Sequence, residues 1–234
     1  MGSEMCIRDR RHANLTIGDN WLIGQFWTNF MPLVHYPRTA DFNGPVGIAF
    51  ARVPQIRYSN SVGNLQWSVS IEESTSSSDD PTLTAAAFFQ GNNWSARIAG
   101  LVGTTDEDPA VTNGDTEDTN AVVLSAGFQP WEGGSLNGTY QTGDGANSIL
   151  VGNVATDFDA VAGDTVESDS FTLEFRQQIS DSLNVGIAYG EIDYDDAAFN
   201  DVESIHVNAF YSPIERLTIG LEYITIENLS LIHI

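Results

Sequence analysis

Three features of the sequence predict an all-β chain built as a transmembrane antiparallel β-barrel, an up-and-down meander. Apolar and polar residues alternate with period two. Short and long connections alternate along the chain, and aromatics collect near strand ends, as in outer-membrane barrels. The alternation is clearest in Phe171–Ile179, where Phe171, Leu173, Phe175 and Ile179 share one face and Thr172, Glu174, Arg176 and Gln178 the other. Leu183–Tyr189 and Leu217–Tyr223 repeat it, as do Leu65, Trp67, Val69 and Ile71 against Gln66, Ser68, Ser70 and Glu72. No segment carries an apolar stripe at helical spacing.

Taken in order, the predicted strands are 12–18, 20–27, 50–59, 64–72, 82–90, 93–104, 119–129, 134–142, 168–178, 183–193, 203–212 and 216–226. Tight turns follow at Gly18-Asp19, Asn60–Gly63, Gln90–Asn93, Pro130–Gly133, Ser180–Ser182 and Ser212–Glu215. Long connections fall at 28–49, 73–81, 105–118, 143–167 and 194–202, and hold most of the acid, as in Asp106-Glu107-Asp108 and Asp193–Asp196. Trp21, Trp27, Trp67, Trp94, Trp131, Tyr140, Tyr189, Tyr211 and Tyr223 lie near strand ends or turns, where the girdles of a membrane barrel sit. One strand face is aliphatic or aromatic; the other is Thr, Ser, Asn, Gln, Gly, Glu and Arg. A polar interior belongs to a wide, water-filled barrel of about 16–18 strands, so the twelve strands are expected to form a partial barrel, about 12 of about 16.

Composition narrows the function. The 234 residues carry 32 acidic and 9 basic side chains, a formal charge of -23. Every basic residue is Arg, and that balance argues against nucleic acid as a partner. The chain is too hydrophobic, at 41%, for a disordered acidic segment. Its one cysteine, Cys6, excludes an internal disulfide framework. No apolar run approaches the length of a membrane-spanning helix, which leaves a strand-built membrane protein open.

The two ends read differently from the body. Ser3–Arg10 and Leu229–Ile234 resemble translated sequencing-adapter read-through. Residues 1–11 and 229–234 are therefore expected to lie outside the fold, and 12–228 to form the partial barrel. On that reading the gene is truncated at both ends, and the lack of a signal peptide carries no weight.

The first third carries a distinctive run: Gly24-Gln25-Phe26-Trp27, Phe30-Met31, Asp41-Phe42-Asn43-Gly44-Pro45 and Arg52-Val53-Pro54-Gln55-Ile56-Arg57-Tyr58. It resembles the DcaP-like family of Gram-negative outer-membrane porins. Thr142-Gly143-Asp144-Gly145 and Pro213–Leu217 with Gly220–Tyr223 resemble later family segments. The departures are a more acidic second half and Ala146–Leu150 in place of the family's usual G-x-R-Y, which loses an Arg. The resemblance implies a homotrimer of barrels in the bacterial outer membrane, in contact with its lipid and lipopolysaccharide. It implies passive diffusion of small anionic, dicarboxylate-like solutes, with no cofactor and no catalysis.

Selectivity in such a pore comes from charged side chains around a narrow passage, and Arg favours anions. Arg57, Arg97 and Arg176 have inward parity, with Gln55 beside Arg57 on the same face. Arg52 has the other parity, and Pro54 is a candidate irregularity that would re-aim it. Arg38 lies in the 28–49 connection, which is long enough to fold inward as a constriction. Arg52 and Arg57 are the leading anion contacts; the plainer reading is that these arginines balance inward carboxylates. For the acidic loops, plain solvation is favoured over Ca²⁺ binding. His206, inward between Ser204 and Asn208, has no G-x-S-x-G motif to make a hydrolase of it. The alternative to a porin is a soluble all-β binding or surface-adhesion protein. The two differ in where Leu173, Ile187, Val207 and Ile219 lie: outside a porin wall, or between the sheets of a sandwich.

Overall fold

Strong alternation leaves each segment one way to satisfy its backbone, which is pairing with its neighbours in sequence. A computed structural model, describing residues 12–76, 78–107, 115–196 and 198–229, shows all twelve expected strands. They are β1 (Ala13–Ile17), β2 (Trp21–Trp27), β3 (Arg52–Val62), β4 (Leu65–Glu72), β5 (Thr82–Gln90), β6 (Trp94–Asp106), β7 (Thr116–Phe128), β8 (Gly134–Asp144), β11 (Glu167–Ser180), β12 (Leu183–Tyr194), β13 (Asp201–Ile214) and β14 (Leu217–Leu229). Two further strands, β9 (Phe158–Asp159) and β10 (Asp164–Thr165), form a small hairpin inside the connection read as wholly irregular. The twelve long strands make one antiparallel meander in chain order. Among the described residues β1 pairs only with β2 and β14 only with β13, so the curved wall is a partial barrel and does not close. Residues 1–11 and 230–234, with Cys6, lie outside the described residues.

The apolar face is the outer one. Leu173, Ile187, Val207 and Ile219 are 45–55% exposed, which a sandwich core would not allow. Trp21, Trp67, Trp94 and Trp131 stand at the short-turn end of this band. Near the other end the Tyr140 hydroxyl donates to Asp169, and that of Tyr189 to Glu191 and Glu203, where the outer surface turns polar.

The inner face is polar, as expected, along β4, β5 and β11: Ser70, Glu72, Thr84, Ser168, Ser170, Thr172 and Glu174 are buried. It is not polar throughout. Leu101, Ala121, Val123, Ile192 and Val202 also point inward and are buried. Their cover comes from two connections that fold inside. The 28–51 segment brings Phe30, Val46 and Ala49, and the 145–166 segment brings Ile149, Leu150 and Val166. The two segments join through the Ala49–Leu150 bridge and the Phe50 N–H to Ile149 C=O bond of 2.8 Å. Each fully buried Phe, Ile or Leu contributes roughly 1.5–3 kcal/mol. This satellite core therefore fixes the inward segments firmly.

Candidate functional site

The 28–51 segment is held to the inner wall at four places, each built from side chains on strand positions of inward parity. At its start, Glu72 on β4 accepts from the Asn29 N–H at 2.8 Å and from the Thr28 hydroxyl. Arg57 on β3 donates to Trp27 C=O, and Arg97 on β6 to Phe30 C=O and Asn29 C=O. Arg57 and Glu72 are themselves 3.9 Å apart. Guanidinium and carboxylate are thus spent on the orphan carbonyls and amides of an irregular segment, which no ladder satisfies.

Next comes His35, in the 3₁₀ turn Leu33–His35. Its Nδ1 lies 2.8 Å from Ser125 Oγ and its Nε2 2.8 Å from Ser95 Oγ. Burial, with Arg97 second, pulls its pKa from 6.5 down to about 4. The third anchor is a pair of carboxylates. Glu174 on β11 accepts the Arg38 N–H at 2.8 Å and is ion-paired with Arg176, which donates to Arg38 C=O together with Asn208. Glu222 on β14 accepts from the Ala40 and Asp41 N–H groups and is bridged at 2.5 Å to His206. Last, Ser204 Oγ accepts the Val46 N–H at 3.0 Å.

This geometry sorts the arginines read from the sequence. Arg57, Arg97 and Arg176 do point inward; Arg97 and Arg176 staple the segment, and Arg57 holds the end of β2 just before it. Arg38 has its backbone held and its side chain laid against the inner wall. Its guanidinium lies 4.4 Å from the Phe210 ring centroid, and among the described residues no carboxylate is within ion-pair reach of it. Burial and the neighbouring Arg176 pull its pKa below the ordinary value, opposed by Glu174; a guanidinium remains a cation regardless.

Arg52 is a correction. The β2–β3 register runs unbroken through Pro54, so the strand contains no bulge to re-aim the side chain. It keeps the outer parity at the strand's long-loop end, 3.8 Å over Trp27, with Phe42 and Phe50 within about 5 Å. Trp27 accordingly serves as a cation platform there. Gln55 does face inward, and its Nε2 donates to Trp27 C=O at 2.9 Å and to Phe26 C=O at 3.1 Å.

Beneath the segment, on the short-turn side, lies an open cavity of about 650 Å³ lined by Asn29, Arg57, Ser59, Gln66, Ser68 and Arg97, with Leu33, Val34 and Phe88 as an apolar lip. Among the described residues no three acidic or histidine side chains converge in a metal-binding arrangement. Sequence reading missed the anchoring roles of Glu72, Glu174, Glu222 and His35. The available signal was an isolated carboxylate at an inward position of a Ser/Thr-rich strand, as at Glu72 and Glu174.

An apolar outer band, a polar inner face and a segment strapped across the inside define an outer-membrane β-barrel channel. The comparisons agree and go further. The chain belongs to the DcaP outer membrane protein family, whose family model matches residues 3–230. The crystal structure of the outer membrane channel DcaP of Acinetobacter baumannii superposes with a TM-score of 0.81 at 27% identity, over 92% of this chain and 67% of that one. OmpT of Vibrio cholerae gives 0.68 at 11% identity, over 93% and 70%. An anion-selective porin from Comamonas acidovorans gives 0.64 at 14%, over 93% and 67%. These last two likenesses carry the fold alone. No curated protein sequence matches.

The chain is therefore that of a bacterial outer-membrane porin. Its outer face must tolerate lipid, which sets an expectation for Val207, 47% exposed in the apolar band. Val207→Arg is expected to destabilise the folded barrel by about 2–4 kcal/mol if that position lies near the bilayer midplane. Urea unfolding in lipid vesicles checks this, and an unchanged midpoint contradicts the placement.

Proposed function

We propose that this porin passes small hydrophilic solutes and prefers small anions of the dicarboxylate class, selected where the 28–51 segment narrows the lumen. The observation that carries the reading is Arg38. It stands on the inner side with no carboxylate in ion-pair reach among the described residues, while Arg57 and Arg176 have acidic partners. Arg57 and Arg97 border the cavity below and supply a second positive stretch. Arg52 sits at the rim, Arg176 holds the segment at the Arg38 carbonyl, and Gln55 braces the end of β2. Anionic carboxylates suit this set because a guanidinium binds them in bidentate fashion. The acidic long connections oppose anion approach over distance, an effect that salt screens beyond about 10 Å at 0.1 M. We infer from the adapter-like strings that residues 1–11 and 230–234 are not part of the working barrel, whereas Leu229, read with them, is the last residue of β14 and pairs with Asp201.

We also propose a homotrimer seated in outer-membrane lipid and lipopolysaccharide. A solved structure of in-vitro folded OmpT of Vibrio cholerae is of its trimer form. The exposed aliphatic band here suits both lipid and neighbouring subunits.

Reversal potentials across a salt gradient in planar bilayers test the anion preference. One unit charge about 4 Å from a permeant ion is worth roughly 1 kcal/mol in water. Arg38→Ala is accordingly expected to lower the anion-to-cation permeability ratio two- to five-fold at low salt, and Arg57→Ala by a smaller factor. Unchanged selectivity in both variants would remove the arginines from the selectivity role.

A further inference from the structure

We propose that His35 is an acid-released latch: neutral, it docks the Leu33–His35 turn into the inner wall; protonated, it lets that turn go. The consequence for the pore rests on reading the 28–51 segment as the constriction.

The latch is built by three strands. Ser95 on β6 and Ser125 on β7 grip the two ring nitrogens, and Phe88 on β5 lies 6.2 Å away, ring to ring. His35 is 2% exposed. Room for the ring comes from Gly127, where a Cβ would lie 2.8 Å from His35 Cδ2. On the same turn Leu33 and Val34 are exposed and border the 650 Å³ cavity, so displacing His35 displaces the groups that shape the lumen. The turn has few other ties. The His35 N–H to Pro32 C=O and Leu33 N–H to Met31 C=O bonds are both internal to it.

A neutral imidazole offers one donor and one acceptor, and two serine hydroxyls satisfy both in either tautomer. A protonated ring still finds two acceptors, because the hydroxyls can turn. What it does not find is a counter-charge. The charged group facing it is Arg97 on β6, a like charge; the neighbours on β5 and β7 are neutral, as is Asn137 on β8. Glu174 on β11 is one residue removed, bonded to Asn137 Nδ2 at 2.9 Å. The docked ring is therefore held in its neutral form, down to about pH 4 against 6.5 for a free histidine. The undocked state binds more protons across that interval, so docking is strongest above pH 6.5 and weakens as pH falls toward 4. A shift of that size corresponds to a loss of docking on the order of 100-fold.

Hydrogen exchange at residues 33–36 of the full chain, reconstituted in lipid, reads the latch directly; conductance in planar bilayers reads its effect on the pore. Exchange of these amides, corrected for intrinsic rates, is expected to rise at least ten-fold between pH 7.5 and 4.5. His35→Gln retains a donor and an acceptor but cannot ionise, and is expected to abolish most of that rise. Labelled-imidazole titration of the unmodified protein gives an independent reading, with a His35 midpoint below about 5 expected. A midpoint near 6.5, exchange flat with pH, or a full response surviving in His35→Gln each overturns the latch. A response that survives His35→Gln but vanishes in Glu222→Gln also overturns it, placing the switch on the carboxylate. Acid-induced exchange with unchanged conductance sustains the latch and refutes the constriction reading on which its consequence rests.

Discussion

Gly190→Val is expected to push the lumen segment off the inner wall and raise single-channel conductance. Gly190 has inward parity on β12, and the backbone of the segment lies directly on it. A Cβ there would stand 2.1 Å from the Val46 carbonyl oxygen and 2.9 Å from Pro45 Cβ. Neither neighbour is the end of a flexible side chain, so no rotamer change relieves the overlap. Overpacking of this kind typically costs 1–3 kcal/mol, and more where backbone must move. The movement would strain the Val46 N–H bond to Ser204 and the Gly47 N–H bond to Val151 C=O, 3.0 and 2.9 Å long. Amides 46–50 should exchange faster and the open-channel current should rise. The same conductance and the same protection as the parent would show that the segment does not lie on β12 in the membrane.

Glu72→Ala has the largest expected energetic effect. This one carboxylate, 4% exposed, serves Thr28, Asn29 and Thr84 and faces Arg57 across 3.9 Å. Its removal leaves the Asn29 N–H without its acceptor and a neighbouring guanidinium without its counter-ion. Losing one partner of a buried pair costs about 3–5 kcal/mol, the lower end applying where water reaches the site. The expected result is a loss of about 3 kcal/mol in the closure of the segment's first turn. A higher anion-to-cation permeability ratio should accompany it, because a negative charge leaves the lumen. Glu72→Gln retains the shape and one acceptor and should fall between. Urea unfolding and reversal potentials on the same preparations check both parts. A selectivity shift toward cations would contradict the charge argument.

The strands were legible because side-chain period in a β-strand is set by local backbone geometry. Phe171, Leu173 and Phe175 declare one face and Thr172, Glu174 and Arg176 the other within a single strand. The reading weakened where both faces are apolar, as at Ala121–Leu124, because the inner cover comes from residues far away in sequence. It failed at Arg52, where a proline suggested a bulge that the β2–β3 ladder does not contain. The anchors were hidden for a related reason. His35 meets Ser125, Arg38 meets Arg176, and Ala40 meets Glu222 across separations of 90, 138 and 182 residues, and no local pattern encodes such pairs.

By itself the sequence determined that the chain alternates, which side chains face outward, and that arginines share the inner surface. Only the tertiary structure decided what each arginine does. Arg97 and Arg176 meet the backbone of the 28–51 segment and satisfy its carbonyls, and Arg57 does the same for Trp27 at the end of β2, while Arg38, carried on the segment, lies against Phe210 with no carboxylate in ion-pair reach among the described residues. Parity is a property of one strand and can be read along it. Which partner each arginine meets depends on the path of an irregular segment, and that path is set by its packing against strands distant in the chain.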